Sequence, residues 1–250
     1  PLNPDQTHLR RSLLPGVLSK VKENSRHTES FRLFEWESVF EKSKVSEIRE
    51  SKMLALACVS RDKSAREFSR LKGALENIFE SAGVRDVVFV SHVVPAGGDE
   101  WHRTQSADVL VGGKKLGTLG TLMPFIVKQL GITSGVAIAV LDVEVLRESV
   151  QTEKTFLLLP KFPFAIRDIS LVFSQRQKSQ AVVDLMKEVG APLLRKAELF
   201  DIFEREGERN LAFHLSFGAD ERTLTSQEMD KAFDRIVGAV KERLGGELHQ

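Results

Sequence analysis

The residues with the most chemical potential in this chain are few and scattered. Gly112-Gly113-Lys114-Lys115 leads into Leu116-Gly117-Thr118-Leu119-Gly120 and invites comparison with a phosphate-binding loop. Such a loop, however, needs a Lys-Ser/Thr pair closing it and a helix N-terminus behind it, and here apolar strand-like residues flank the glycines on both sides. A β-hairpin turn, with glycines supplying positive φ, is the simpler expectation. His92 and His102, with Asp99 and Glu100 between them, are potential metal ligands, but no further ligand lies at metal-site spacing and the loop Pro95-Ala96-Gly97-Gly98 reads as surface. Cys58 is the single cysteine. It lies in the apolar run 53–59 with no activating neighbour in sequence, so a buried structural thiol is expected. There is no Gly-x-Ser-x-Gly elbow, and acidic pairs such as Glu47 and Glu50 read as solvated faces. No active site emerges from residue types and spacing, and no metal or cofactor is assigned to this segment.

The elements that would position these groups are clearer. The 250 residues carry 42% hydrophobic and 28% charged side chains, the balance of a globular protein, and the length suits two modules of unequal size. No apolar run approaches the roughly 18 residues of a membrane span. One cysteine cannot form an internal disulfide, and with no secretory leader visible a cytoplasmic setting is expected. The opening Pro1-Leu2-Asn3-Pro4 suggests a chain cut from something longer. Net charge is +1, and neither half departs far from neutrality, so electrostatic attraction to nucleic acid must be local if it exists.

Leu9, Leu13, Leu14, Val17 and Val21 recur at helical spacing, with Thr7 available as a cap and a break expected at Pro15-Gly16. Residues 31–40 read as a strand that is apolar on both faces, with Phe31, Leu33 and Val39 on one side and Phe34, Trp36 and Phe40 on the other. Residues 53–60 read as a core strand. Residues 64–82 form an amphipathic helix, with Ser64 and Glu67 at capping-box spacing. Strands are expected at 87–94, 106–111, 116–119 and 135–145, and a short helix at 123–130. This region is α/β on a largely antiparallel sheet.

A polar stretch near residues 149–154 marks the boundary, placed at residue 152. Beyond it come strand 165–173, helix 178–189, strands 194–203 and 210–217, helix 225–244 and a short strand at 247–249. This β-α-β-β-α-β order is ferredoxin-like, so the fold class is α+β. Thr225 and Glu228 fit a capping box. Alternation turns Ile169, Leu171, Phe173, Leu211, Phe213, Leu215 and Phe217 toward the helices. It leaves Asp168, Ser170, Val172, Asn210, His214 and Ser216 on an open face, expected to be polar with at least one apolar side chain from 199–203. Such a face can hold single-stranded RNA or pack on a neighbouring domain, and the residues alone leave both open. Lys161, Arg167, Arg195, Lys196 and Arg222 are the local cations able to meet phosphates.

Taken in order, these motifs resemble a known family. Pro1-Leu2-Asn3-Pro4, Leu9-Arg10-Arg11-Ser12-Leu13-Leu14-Pro15-Gly16, Leu33-Phe34-Glu35 and Val39-Phe40 are similar to the start of the catalytic-like domain of the phenylalanyl-tRNA synthetase β subunit family. So are Leu71-Lys72-Gly73, His102 with Ser106-Ala107-Asp108, and Leu116-Gly117-Thr118-Leu119-Gly120 with Pro124. Phe162-Pro163, Arg167-Asp168-Ile169-Ser170, Leu199-Phe200-Asp201, and Arg222-Thr223-Leu224-Thr225 with Glu228 resemble the family's ferredoxin-fold anticodon-binding domain. The resemblance covers nearly the whole chain. It implies a class II synthetase-like, non-catalytic domain over residues 1–152 and an anticodon-binding domain over 153–250. It further implies an α2β2 heterotetramer whose α subunit charges tRNA(Phe) using ATP and Mg²⁺.

On that reading Lys161, Arg167, Asp168, Ser170, His214, Ser216 and Arg222 are the candidate RNA contacts. Leu9, Leu13, Val17, Phe31, Phe34 and Trp36 are the candidate subunit interface, which could also drive self-association of the chain alone. A purely structural interface module without RNA contact is the alternative. A single-chain organellar-type synthetase would need motif arginines in the first domain, and none fits. The departures from the family pattern are Arg103-Thr104-Gln105, Phe203 where tyrosine is usual, and His249-Gln250 in place of a terminal arginine.

Overall fold

The computed structural model describes residues 8–42, 47–61, 66–95, 100–151, 161–174, 177–205 and 207–249. The chain divides into two units, residues 1–155 and 156–250. The boundary expected at residue 152 lies outside the described residues, as do Thr7 and Ser64.

The first unit is built on a six-stranded, wholly antiparallel sheet in the order β1-β2-β6-β5-β4-β3. Its strands are β1 (Ser30–Lys42), β2 (Ile48–Ser60), β3 (Val87–Ser91), β4 (Trp101–Val111), β5 (Lys114–Leu122) and β6 (Gly135–Asp142). The long apolar run of β6 is explained by its position, because both faces are covered. Val136 and Ile138 join a core with Leu14, Val17 and Val21 of helix α1 (Leu14–Asn24), while Ala137, Ala139 and Leu141 join another with Leu71, Leu75 and Phe79 of α2 (Glu67–Ser81). Cys58 is buried in the α2-side core, as a structural thiol should be.

The turn between β4 and β5 needs left-handed backbone at two successive positions. Gly112 and Gly113 provide it with φ of 55° and 81°, so the glycine cluster is a hairpin turn. Three expectations need correction. The first helix is not broken at Pro15 but begins at Leu14 with Pro15 in its first turn, where the N–H that a proline lacks would go unused. The strand expected at 135–145 stops at Asp142, whose carboxylate accepts from the backbone N–H groups of Glu144 and Val145 at 2.9 and 3.1 Å and starts helix α4 (Val143–Ser149). The strand expected at 87–94 ends at Ser91. Helix α3 (Pro124–Gln129) lies where a short helix was expected.

The second unit has four antiparallel strands in the order β10-β7-β9-β8. They are β7 (Ala165–Phe173), β8 (Leu194–Arg205), β9 (Glu208–Phe217) and β10 (Gly246–Leu248), and the helices are α5 (Ser179–Gly190) and α6 (Ser226–Leu244). One sheet face and the inward stripes of both helices form a single core. Ile169, Leu171, Phe173, Leu211, Phe213, Leu215 and Phe217 meet Val182, Met186, Ile236 and Val240 there. Thr225 and Glu228 cap α6 reciprocally, and Gly245 ends it with a left-handed φ of 66°.

Candidate functional site

Because the odd-numbered residues of β7 and β9 are committed to the helix-covered core, the even-numbered ones stand on the opposite face. Asp168 pairs in register with His214, Ser170 with Ala212, and Ile166 with Ser216. The His214 Nδ1 lies 2.5 Å from an Asp168 carboxylate oxygen, and the Ser170 hydroxyl donates to the Asn210 side-chain oxygen at 2.7 Å. Asp168, Ser170, His214 and Ser216 are therefore brought together on one surface.

Strand β8 changes the character of that surface. A register shift between Leu199 and Asp201 leaves Leu199 against the core and brings Phe200 onto the open side, where its ring stacks on His214 with centroids 3.9 Å apart and planes 12° from parallel. Phe203 sits opposite Asn210. Phe200 and Phe203 are 51% and 58% exposed, and Ile166 is 68% exposed. The open face, expected to be polar with at least one apolar side chain from 199–203, carries the rings of Phe200 and Phe203 among its polar groups. Phe200 is the exposed ring of this face that alternation alone did not assign, because simple alternation cannot say which face a bulged residue takes.

The expected cations fare differently. Arg167 shares the parity of Ile169 and so points to the helix-covered side. There its guanidinium donates to Asp230 of α6 at 2.5 Å and lies 5.5 Å from the Phe233 ring centroid, which removes it from the open face. Arg222 makes two hydrogen bonds to Glu228, at 2.8 and 2.5 Å, beside the α6 cap. Arg222, together with the Thr225 backbone N–H and hydroxyl, holds the Glu228 carboxyl down to about 2. Arg195 pairs with Asp220 at 2.8 Å, and Lys196 with Glu198 at 2.6 Å. Lys161 is exposed ahead of β7.

In the first unit, β1 is an edge strand whose Phe34 and Trp36 are 74% and 57% exposed, while Phe31, Leu33 and Val39 lean on the α1-side core. Leu9 is exposed, and residues 8–12 run beside the strand, with the Phe40 N–H donating to the Arg10 carbonyl at 2.8 Å. A groove of about 1190 Å³ lies between this segment, α1 and β1, crossed by an Arg10–Glu35 ion pair at 2.5 Å. Leu13 and Val17, expected at an interface, are 1% and 0% exposed and belong to the core, because their stripe on α1 faces the sheet.

The His92 side chain lies 2.8 Å from Asp108, which also accepts from Lys115 at 2.8 Å and Thr118 at 2.9 Å. Burial pushes the Asp108 carboxyl up, but these three donors outweigh it and hold it below the usual carboxylate range. His92 is thus engaged with Asp108 rather than with His102. Among the described residues no group of three His, Cys, Asp or Glu is placed to hold a metal ion.

The model of the phenylalanyl tRNA synthetase beta chain CLM domain matches residues 1–143. The chain belongs to the phenylalanyl-tRNA synthetase β-chain family. A ferredoxin-fold anticodon binding domain model matches residues 160–249, the stretch that carries the open sheet. Among curated relatives, the phenylalanine–tRNA ligase β subunit of Bacillus thuringiensis is 30% identical over 264 residues, covering 100% of this chain and 32% of the relative. That of Moorella thermoacetica is 32% identical over 265 residues with the same coverage. The chain therefore spans about a third of the length of these β subunits. Among solved structures, a pyrrolysyl-tRNA synthetase from Desulfitobacterium hafniense overlaps 57% of this chain and 50% of that one, at 23% identity and a TM-score of 0.45. In this chain of the phenylalanyl-tRNA synthetase β-chain family, the segment matched by the anticodon-binding domain carries the ring-bearing face of the second unit.

Proposed function

We propose that this chain acts as a C-terminal part of a phenylalanine–tRNA ligase β subunit. Residues 1–152 serve as a non-catalytic scaffold for an α subunit, and residues 153–250 contact the anticodon region of tRNA(Phe). ATP-dependent, Mg²⁺-assisted aminoacylation is the α subunit's part in an α2β2 assembly. The described residues of this chain include no carboxylate or imidazole cluster that fits a metal ion, and no step is routed through one here.

The observation that carries the reading is the match of an anticodon-binding domain to a segment whose sheet leaves one face open, with polar edges and rings exposed on it. The exposed Phe34 and Trp36 on an edge strand support the scaffold role, since solvent-facing aromatic patches of this kind mark interaction surfaces. In cells, a cytoplasmic setting suits such an assembly.

The test is reconstitution. Co-expression with an α subunit from the same source is expected to yield a complex that charges tRNA(Phe) once the remainder of the β subunit is supplied, and anisotropy with a tRNA(Phe) transcript is expected to show binding by the 250-residue chain. A chain that stays apart from α, or ignores the transcript at low salt, would refute the corresponding half. Binding to α without any tRNA contact would favour a purely structural interface module, a reading for which the carboxylates of Asp168 and Glu198 beside His214 speak.

A further inference from the structure

We infer that the outer edge of β1 pairs with the same edge of a second copy of this chain, antiparallel and centred on Phe34, to give a weak dimer that joins the six-stranded sheets of both copies. The dimer does not depend on the scaffold reading above. It covers the rings there assigned to an α subunit, however, so the dimer and an α complex exclude each other.

Backbone direction comes first. The Phe40 N–H donates to the Arg10 carbonyl, and so points away from β2. Because β1 pairs with β2 in one unbroken register, from Ser30 with Ser60 to Lys42 with Ile48, the backbone groups of β1 turn to either side at alternate residues. Arg32, Phe34, Trp36 and Ser38 share the parity of Phe40, so their N–H and C=O groups also point outward. A row of this kind is a template for another strand, and folds normally blunt it by shortness, a bulge, proline or cover. The other sheet edges are blunted in this way: β3 has five residues, β10 has three, and β8 carries two register shifts. Strand β1 has thirteen residues, no proline and no register shift, and Phe34 and Trp36 stand exposed along it.

The sequence of the strand argues for a second copy as the occupant. A two-fold axis opposes outward-pointing residues to one another, and the longest such ladder that leaves Phe40 to Arg10 covers residues 30–38 with Phe34 on the axis. In that register Phe34 meets Phe34 of the second copy, Arg32 meets Trp36, Leu33 meets Glu35 and Phe31 meets Glu37. No like charges are opposed, and the exposed Arg32 of each copy gains the indole face of the other. Moving the axis to Glu35 would set that carboxylate against itself and require the Phe40 N–H, which Arg10 already holds. Size sets the strength. At about 200 Å² per ring, the four rings bring on the order of 500 Å² of bare surface to the contact, well short of the roughly 1,200 Å² of a stable specific interface. A dissociation constant on the order of tens of micromolar is therefore expected.

The experiment is sedimentation equilibrium of the whole 250-residue chain from about 1 to about 300 μM, where a reversible monomer–dimer equilibrium is expected. Arg32→Pro keeps both rings and removes an N–H that makes no bond to β2, so it is expected to weaken the dimer at least about tenfold while melting like the parent. Phe34→Cys is expected to cross-link two copies under mild oxidation, because directly opposed residues of a hydrogen-bonded pair lie about 5.5 Å apart at Cα, within disulfide reach. Trp36→Cys, opposed by Arg32, is expected to stay uncross-linked, and the buried Cys58 does not interfere. A chain that remains monomeric throughout overturns the inference. A dimer indifferent to Arg32→Pro overturns the ladder, and cross-linking at Trp36→Cys but not at Phe34→Cys overturns the register. Titration with an α subunit is expected to dissolve the dimer. An α complex that keeps two copies joined through Phe34→Cys overturns the exclusion, whereas failure of α to bind at all leaves the dimer standing and refutes only the scaffold reading.

Discussion

Replacing Phe34 and Trp36 together by serine tests the proposed interface separately from the core of the first unit. These rings are 74% and 57% exposed on the edge strand β1. Taking about 200 Å² for each side chain, on the order of 250 Å² of apolar surface stands bare, which is worth roughly 6 kcal/mol if fully covered at about 25 cal/mol per Å². Association offsets part of that through lost rotational and side-chain freedom, so a loss of about 3 kcal/mol on truncation is the realistic expectation. This corresponds to a rise of on the order of a hundredfold in Kd for the α subunit. Calorimetric titration of the α subunit with each variant measures it. Stability should barely respond, since exposed side chains contribute little to the free chain and the double variant is expected to lie within about 0.5 kcal/mol of the parent. Leu13→Ala and Val17→Ala, at 1% and 0% exposure, are expected to cost about 2–4 kcal/mol of folding stability. The reasoning is refuted if the double serine variant binds α within threefold of the parent, or if it lowers the melting temperature as Leu13→Ala does.

Three further outcomes are expected. Thr225→Ala removes the hydroxyl that accepts from the Glu228 N–H and should cost the second unit about 1 kcal/mol, read as a drop in thermal or urea midpoint. Glu228, held down to about 2 from a usual 4.5 chiefly by Arg222 and then by Thr225, favours folding above about pH 4.5 and loses that contribution as pH falls toward 2. The melting temperature of the parent should therefore fall more steeply over that range than that of Glu228→Gln, and parallel curves would count against the pairing. Gly117→Ala would drive a methyl group into the Val140 carbonyl oxygen and the Leu141 backbone, neither of which can swing aside. It is expected to unfold the first unit or cost it more than about 3 kcal/mol, as followed by circular dichroism.

Much of this architecture is written in periodicity. Strict alternation in 165–173 and 210–217, followed by a helix bracketed by Thr225 and Gly245, leaves little freedom in the second unit, and the structure places those elements within a residue or two. What alternation could not convey is the register shift at Phe200, since a bulge is a property of two strands together. Arg167 is the opposite case. Its parity with Ile169 already placed it on the helix side, and only its charge suggested a phosphate contact. Leu13 and Val17 are similar, because one helical stripe can face only one way and the sheet had first claim on it. Asp142 held a readable signal, an acidic cap ahead of Glu144, but it was hidden inside an apolar run that continued through Val143 and Val145.

The near-neutral charge and the aromatic face have a common origin in how the second unit is tied together. Arg167 joins β7 to α6 through Asp230, Arg243 joins α6 to α5 through Glu188, and Arg222 closes on Glu228 beside the α6 cap. Each guanidinium spent in this way is matched by a carboxylate, so the pairs leave no net field to draw in a polyanion, and as exposed pairs they add little to stability. Orientation is what they provide: α6 is held over one sheet face, and the cations are held on that side or at its rim. The opposite face is left to Phe200, His214 and Phe203, whose rings attract nothing at long range and act only at contact. A surface of this kind suits a ligand delivered by other parts of an assembly, since it contributes to the lifetime of the complex more than to the rate of encounter. In kinetic terms, Phe200→Ala should raise the dissociation rate of a bound RNA while leaving its association rate nearly unchanged.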